Sequence, residues 1–547
     1  MKVIVIGGVA GGMSAATRLR RLREDAAITV YEMGEHVSYA NCGLPYFVSD
    51  VIAKRELLLL QTPESLWDRF RIDVKVNTMV TSIDKAAKTV SVLNVQTGET
   101  GTDSYDKLII STGAKPRKLA IPGIERALTL RNVVDADEVK AAALENVGKQ
   151  AVILGAGFIG IELAENLTHL GIETTIVQRG TSVLSQFDPE VIEPLQARLV
   201  SNGVKLELGN EPVEVTADAV VLADGRSLPA ALVFSAAGVS PDNSLAREAG
   251  LKIGTTGGLW VDDQQRTSDE HIYAAGDAVE KNGHLTGEHL LVPLANLANR
   301  HGRLVADAIA GIETRVHPAV ATAIIGAFGF VAAVTGLTEK TAKRAGIAHQ
   351  VIHLHPSNHA GYYPGSKRVS LKVLFDPETG KILGGQATGE DGADKRIDVI
   401  ATAIYAGLTV DDLMDLELAY APQFGSAKDA INQAGYVGNN VITGNTPTIQ
   451  WHELSSAMAN GAQLVDVRTT GEHEFSSIPG AVNIDVNELR DHLHQIQAED
   501  VIVHCAVGQR GHTATQILKA HGMKVRNLDG GFITWRAGMD ALARAGN

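Results

Sequence analysis

The chain has 547 residues, of which 45% are hydrophobic, 20% charged and 5% aromatic, with 55 glycines and a formal net charge of −14. That length allows three or four domains of ~100–200 residues each, and the composition is that of a glycine-rich α/β protein, not a disordered or fibrous one. The acidic balance excludes nucleic acid or an anionic membrane as the expected main partner, and no run approaches the ~20 apolar residues of a transmembrane helix.

Met1-Lys2-Val3-Ile4-Val5-Ile6 runs straight into glycines and reads as a core strand, without the features of a signal peptide. Only two cysteines are present, Cys42 and Cys505, at opposite ends of the chain. They cannot form a disulfide framework and suit a reducing cytoplasm, the expected location.

The strand Lys2 to Ile6 is followed by Gly7-Gly8-Val9-Ala10-Gly11-Gly12, a helix over Ser14 to Leu22, and a strand ending at Tyr31-Glu32. This is a βαβ dinucleotide fingerprint with an acid placed to hold a ribose 2′-OH, although Val9 stands where the second glycine belongs. Candidate contacts are Gly7, Gly8, Ala10, Gly11 and Glu32. Next comes Ser38-Tyr39-Ala40-Asn41-Cys42-Gly43-Leu44-Pro45-Tyr46, with Cys42 ahead of an apolar run, Leu44 to Val51, that can begin a helix. A thiolate at a helix N-terminus is favoured by the orphan backbone N–H groups and the dipole. The plain alternative is a buried structural cysteine.

Asp106 to Ile110 is an apolar strand ending at Ser111-Thr112-Gly113. A second cradle follows: strand Gln150 to Leu154, then a full G-x-G-x-x-G at Gly155, Gly157 and Gly160, then a helix over Ile161 to Leu170. The strand after it ends in Gln178-Arg179, where an acid would select NAD, so Arg179 points to a 2′-phosphate and to NADPH, or to tolerance of both cofactors. Two cradles imply two dinucleotides. A further apolar strand, Ile272 to Ala275, ends in Gly276-Asp277, where Asp277 can accept from a ribityl hydroxyl.

Glu32, Thr112-Gly113 and Gly276-Asp277, taken with both cradles, resemble the two-dinucleotide flavoprotein disulfide reductases over residues 1 to about 440. The resemblance implies FAD in the first cradle, NADPH or NADH in the second, inserted one, and a dimerisation domain from about 320. Asn41-Cys42-Gly43-Leu44-Pro45-Tyr46, Tyr362-Tyr363-Pro364-Gly365 and Ala419-Tyr420-Ala421-Pro422 resemble the coenzyme A-disulfide reductase branch. In that branch one cysteine alternates between thiolate and mixed disulfide with coenzyme A, which is substrate or tightly bound, and tyrosines of the partner subunit reach the sulfur. By resemblance these are Tyr420 and Tyr362, with Tyr363 as the alternative to the latter, and ordinary interface packing remains open for both. Arg18, Arg21, Ser38 and Asn41 would lie along the coenzyme A tract; arginines spaced like these also make a solvated helix face. Some members have a lysine where this chain has Phe70.

Tyr436 to Thr448, rich in Gly, Asn and Thr, reads as a linker. Beyond it, Asp466-Val467-Arg468, Cys505-Ala506-Val507-Gly508-Gln509-Arg510 and Gly530-Gly531 resemble a rhodanese, or sulfurtransferase, domain. Backbone N–H groups after Cys505 would cradle a thiolate or persulfide, Arg510 would close the cradle, and Asp466 and Arg468 would brace the loop. An inert rhodanese-like binding module is the alternative.

The expected fold is therefore α/β. It has an FAD domain (1–115 and 246–320) interrupted by an NAD(P)H domain (116–245), an α+β dimerisation domain (321–437), a linker (438–448) and an α/β rhodanese domain (449–547). Residues 37 and 47 are Val and Phe, so no second cysteine stores electrons beside Cys42. It must pair with an outside sulfur or pass through a sulfenic acid. The first route makes the chain a reductase of coenzyme A disulfide, persulfide or polysulfide in a homodimer. The second makes it an NAD(P)H oxidase or peroxidase, and a non-enzymatic redox sensor is the third reading. The fusion suggests a relay in which Cys505 takes sulfane sulfur, a thiol accepts it, and Cys42 reduces the product. His353, His355 and His359 fit no standard zinc spacing, and no metal is expected.

Overall fold

The structure, a computed structural model, describes residues 1–546. The chain divides into two compact units, Met1–Val177 with Glu211–Ala321, and Gln178–Asn210 with the chain from Thr322 onward.

The first unit holds two parallel sheets. One orders its strands Ile272–Ala274, Lys107–Ile110, Lys2–Ile6, Ala27–Tyr31 and Ile72–Lys75, every neighbouring pair parallel. These are near-continuous apolar runs because both faces are covered, as parallel sheets require. Val3, Val5, Ile28 and Ile109 pack on one side with Ala15, Ala16 and Leu19 of the helix Ala10–Leu22. Ile4, Ile110 and Ile272 pack on the other. The second sheet sets Gln150–Leu154 between Glu173–Gln178 and Leu232–Ser235, again all parallel.

In both sheets the glycine turn feeds the helix so tightly that a side chain is excluded. A Cβ on Gly12 would lie 1.9 Å from the Gly7 carbonyl oxygen, and one on Gly160 would lie 2.1 Å from that of Gly155. The first helix begins at Ala10, four residues ahead of the position its apolar pattern indicates, because the glycines themselves are wound into its first turn. After Cys42 the helix is shorter than the apolar run: a 3₁₀ turn, Asn41–Gly43, passes into Leu44–Val48. It stops there because the chain turns left-handed at Asp50, with φ of +63°.

The second unit contains a five-stranded antiparallel sheet in the order Ala323–Ala327, Phe330–Gly336, Ile382–Gly389, Val369–Phe375 and Gln350–Leu354. It also contains a five-stranded parallel sheet in the order Thr448–Ile449, Lys524–Leu528, Asp500–His504, Gln463–Asp466 and Val482–Asn483.

The first part of the expected linker is helical: the helix Ala430–Ile442 runs into it as far as Ile442. Gly435 and Gly438 are there for packing: a Cβ on the first would lie 2.6 Å from the Met414 nitrogen, and on the second 2.8 Å from the Val410 side chain. Small residues that bring two helices together look like linker composition in sequence.

Candidate active site

At the first cradle, the Glu32 carboxylate ends its strand and accepts the N–H of Gly8 at 2.7 Å and that of Gly34 at 2.8 Å. Thr112 donates its hydroxyl to the Asp242 carbonyl at 2.7 Å, which fixes the turn through Gly113. Gly276–Ala278 forms a 3₁₀ turn that presents Asp277, whose Oδ1 is buried without a hydrogen-bond partner. An unpartnered buried carboxylate oxygen is costly unless something else donates to it. A sugar-like hydroxyl chain meets that need, so the residues fit a bound dinucleotide. Lys281, which sequence reasoning missed, clamps this turn from beneath by donating Nζ to the carbonyls of Gly276 at 2.9 Å and Val279 at 2.8 Å. Burial lowers its pKa to about 8, against the pull of Asp277.

Cys42 is exposed at its 3₁₀ turn. Its thiol pKa is nevertheless raised, first by the desolvation of its surroundings and then by the negative charges of Glu162 and Asp277. The expectation of a helix-stabilised thiolate is corrected accordingly. The helix that follows has only five residues, too short a dipole to outweigh two carboxylates.

Glu162 is the second residue that sequence reasoning missed. It lies on the helix Phe158–His169 that opens from the second cradle, and Tyr46, four residues after Cys42, donates its hydroxyl to Glu162 Oε1 at 3.3 Å. Burial raises the Glu162 pKa to about 7, the Tyr46 hydrogen bond opposes the rise, and Glu165 adds to it. The only sequence signal was its position just past the glycine fingerprint. Arg179 directly follows the strand Glu173–Gln178 and is exposed.

The four residues assigned to a coenzyme A tract are not equivalent. Arg18 donates Nε to Asp307 Oδ1 at 2.7 Å and is partly engaged in holding two helices together. Arg21 is exposed, with its guanidinium 5.1 Å from the centroid of the Phe70 ring. The aromatic residue at the departing position is thus a cation–π platform for Arg21. Ser38 adopts φ of +50° and its N–H donates to the Gly8 carbonyl at 2.7 Å, which ties the cysteine loop to the first cradle. Asn41 is exposed at the start of the turn.

In the second unit the hydroxyls of Tyr362 and Tyr420 lie 3.1 Å apart, and their side chains are 76% and 49% exposed. Tyr363 instead stands edge-on to His359, with ring centroids 5.8 Å apart. Of the two alternatives, it is therefore Tyr362 that pairs with Tyr420. Arg396 supports the segment, donating Nη2 to the Asn358 carbonyl and to Asp429 Oδ2, each at 2.7 Å.

Cys505 follows the strand Asp500–His504 and is buried. Gly508, at φ of +92°, turns the loop into the helix Gln509–Ala520. Arg510 makes a two-pronged ion pair with Glu472, 2.7 Å at each prong, and also interacts with Cys505. That partner holds the Glu472 carboxyl down at about 2. Asp466 and Arg468 form a buried ion pair, with Arg468 Nη2 also donating to the Ser476 carbonyl at 2.7 Å.

The three histidines separate. His353 is buried against Asp529 and Glu190, the half-buried His355 meets Ser370, and the buried His359 faces the Pro364 carbonyl. Asp188, Glu190 and Glu339 converge, but the cation among them is the fully buried Lys372, whose Nζ lies 2.9, 2.5 and 2.6 Å from their oxygens.

Residues 1–302 match the pyridine nucleotide-disulphide oxidoreductase family, 323–431 match that family's dimerisation domain, and 450–538 match the rhodanese-like domain. The chain belongs to the pyridine nucleotide-disulphide oxidoreductases. It is an oxidoreductase with a rhodanese-like module at its C-terminal end. The crystal structure of reduced Bacillus anthracis CoADR-RHD is similar over 99% of this chain and 98% of that one, at 42% identity and a TM-score of 0.96. A NAD-dependent persulfide reductase from A. fulgidus is similar over 98% and 100%, at 36% identity and a TM-score of 0.92. A coenzyme A disulfide reductase of Staphylococcus aureus (strain bovine RF122 / ET3-1) is 33% identical over 436 residues, 80% of this chain and 99% of that protein. Among the described residues no helix is long and apolar enough to cross a membrane.

Proposed function

We propose that the protein is a flavin-dependent reductase of coenzyme A disulfide, coenzyme A persulfide or polysulfide, driven by NAD(P)H, with Cys42 as its single redox sulfur. The observation that carries this reading is the isolation of Cys42: Val37 and Phe47 leave it no neighbouring thiol, and the only other cysteine belongs to the rhodanese-like module. The names of relatives point to two of these substrate classes, coenzyme A disulfide and a persulfide.

FAD would be held by Gly7, Gly8, Ala10, Gly11, Glu32, Thr112, Gly113, Gly276 and Asp277, and NAD(P)H by Gly155, Gly157, Gly160 and Arg179. When bound, the flavin supplies a two-electron path from nicotinamide to sulfur. Cys42 attacks the substrate S–S bond as thiolate, keeping one sulfur as a mixed disulfide while the other leaves as thiolate or hydrosulfide. Its thiol pKa is raised, so a base is needed, and Glu162, raised to about 7 and hydrogen-bonded to Tyr46, would hold that proton. A tyrosine hydroxyl can donate a hydrogen bond to a leaving thiolate without giving up its proton, because the phenol is the weaker acid. In a homodimer the paired Tyr362 and Tyr420 of one protomer would complete the Cys42 site of the other. Arg21 on its Phe70 platform, with Arg18, Ser38 and Asn41, would carry the coenzyme A phosphates and pantetheine arm.

The rhodanese-like module would feed this site. Cys505 accepts a sulfane sulfur and passes it to a small thiol such as coenzyme A, and the resulting persulfide is reduced at Cys42 with release of sulfide. Single substitutions test the division of labour. Cys42→Ser is expected to abolish reduction of every sulfur substrate, and Cys505→Ser to abolish only sulfide production from a sulfane donor plus free thiol. Unchanged turnover of every donor in Cys505→Ser would exclude the relay. Oxygen consumption by the wild type without any sulfur substrate, at the rate seen with one, would instead make the protein an oxidase.

A further inference from the structure

The turn Asp529-Gly530-Gly531 lies between two things. Both glycines are left-handed, at φ of +66° and +63°. A Cβ on Gly530 would lie 2.7 Å from the Cβ of His353, a residue of the antiparallel sheet. A Cβ on Gly531 would lie 2.4 Å from the Cys505 carbonyl oxygen and 2.9 Å from the Gly508 nitrogen. One turn is thus pressed on one side against the dimerisation module and on the other against the sulfurtransferase loop, with no room for a side chain at either face.

Hydrogen bonds fix both contacts. The Asp529 carboxylate takes the backbone N–H of His353 at 3.1 Å and its ring Nδ1 at 2.6 Å. On the other side Phe532 N–H donates to the Cys505 carbonyl at 2.8 Å and Ile533 N–H to that of Ala506 at 3.1 Å. A second tie runs parallel, with His355 Nε2 2.8 Å from the Thr534 hydroxyl. The far ring nitrogen of His353 meets Glu190 at 3.1 Å, and Glu190 is itself held at 2.5 Å by Lys372, which no solvent reaches. Burial opposes charge on His353, but Asp529 and Glu190 overcome it and raise its pKa to about 9. A buried imidazolium between two carboxylates is a stiff strut, since breaking either pair leaves an uncompensated charge.

We propose that His353 is a positioning residue for the sulfur-transfer cysteine: it acts through Asp529 and the double-glycine turn to hold the Cys505 loop in the geometry that accepts sulfur. This rests on the reading that Cys505 is a sulfur acceptor. The reductase body therefore does more than tether the rhodanese-like module; it braces the turn that packs against that module's active loop.

The test uses the full-length holoenzyme with thiosulfate as donor. The S–S bond of thiosulfate breaks, sulfite leaves with the electron pair, and the outer sulfur stays on Cys505 Sγ, adding one sulfur to the intact mass. In His353→Leu and in Asp529→Asn the rate of persulfide formation is expected to fall by about tenfold or more, the scale on which a small misplacement of a reacting group is felt. His353→Gln, which keeps a donor for Asp529, is expected to recover part of the rate. Amide hydrogen exchange over 505–511 is expected to quicken by about fivefold while the strand Gln463–Asp466 keeps its protection, a local opening and not global unfolding. NAD(P)H-driven reduction of an artificial dye stays within about twofold throughout, since the flavin site is untouched. Asp529→Asn preserves shape, so it remains informative where His353→Leu does not fold. Full-rate persulfide formation with unchanged exchange over 505–511 in a folded variant overturns the proposal. A wild type that takes no sulfur from thiosulfate or from a persulfide overturns the reading of Cys505, and the exchange data then decide the positioning role alone.

Discussion

Desolvation raises the thiol pKa of Cys42, and the negative charges of two carboxylates, Glu162 and Asp277, add to the rise. Removing one negative charge lowers a neighbouring thiol pKa and increases the thiolate fraction. Glu162→Gln is therefore expected to speed alkylation of Cys42 by iodoacetamide at pH 7 by several-fold, while slowing turnover because the proton acceptor is lost. Unchanged alkylation would show that Glu162 does not couple to the sulfur. The same carboxyl gives turnover a limb near pH 7: as a base it works ionised, so the rate is expected to fall as pH drops through that value, and the limb is expected to vanish in Glu162→Gln. Arg179, beyond the second cradle's strand, sets the coenzyme expectation: kcat/KM is expected to favour NADPH over NADH, and a large NADH advantage would exclude that role for it. Neither Glu162 nor Lys281 could be read from the sequence. Glu162 meets the cysteine segment through Tyr46, 116 residues away in the chain, and although Lys281 is only five residues from Gly276, no local motif shows that its amine folds back onto that carbonyl. The turns that carry the glycines, Glu32 and Asp277 were legible because backbone geometry dictates their spacing.

At the scale of elements, the parallel strands and both cradles were legible because hydrophobic runs and glycine spacing are local signals. The boundaries that failed were those set by packing. Gly438 reads as part of a linker, yet with Gly435 it lets the helix Ala430–Ile442 approach Val410 and Met414. The apolar run after Cys42 extends past the end of its helix because Asp50 turns left-handed. Two outcomes belong to this scale. Gly12→Ala puts a methyl 1.9 Å from the Gly7 carbonyl, so the first turn must shift; the purified variant is expected to lose most of its bound flavin, read from its visible absorbance. A fully yellow variant would show that the turn is not held by this approach. Lys372 is the cation shared by Asp188, Glu190 and Glu339, and its removal leaves Glu190 to His353, Glu339 to Lys343 and the buried Asp188 without its lysine. Lys372→Met is expected to cost about 3–5 kcal/mol in urea unfolding, the range for breaking a buried pair from one side. Unaltered stability would mean that the acids are protonated or hydrated.

For the whole molecule, the proposal that the exposed Tyr362–Tyr420 pair serves a second copy of the chain is the one to test. Neither tyrosine is buried in its own protomer, and a homodimer gives a C₂ symmetric way to place each pair at the other subunit's Cys42. Mixed dimers distinguish sites within a protomer from sites across the interface. A Cys42→Ser chain refolded with a Tyr362→Phe/Tyr420→Phe chain is expected to regain about a quarter of wild-type activity, because half the dimers are mixed and each carries one intact shared site. No recovery would confine the site to one protomer. The central claim, that Cys42 alone passes electrons from a flavin to an external sulfur, is tested most directly by an anaerobic half-reaction. The holoenzyme is reduced with NADPH, then mixed separately with coenzyme A persulfide and coenzyme A disulfide while flavin absorbance and sulfide are followed. Rapid reoxidation by the persulfide with release of sulfide, lost in Cys42→Ser and retained in Cys505→Ser, is the expected result. Reoxidation that persists in Cys42→Ser, or that only oxygen brings about, would contradict it.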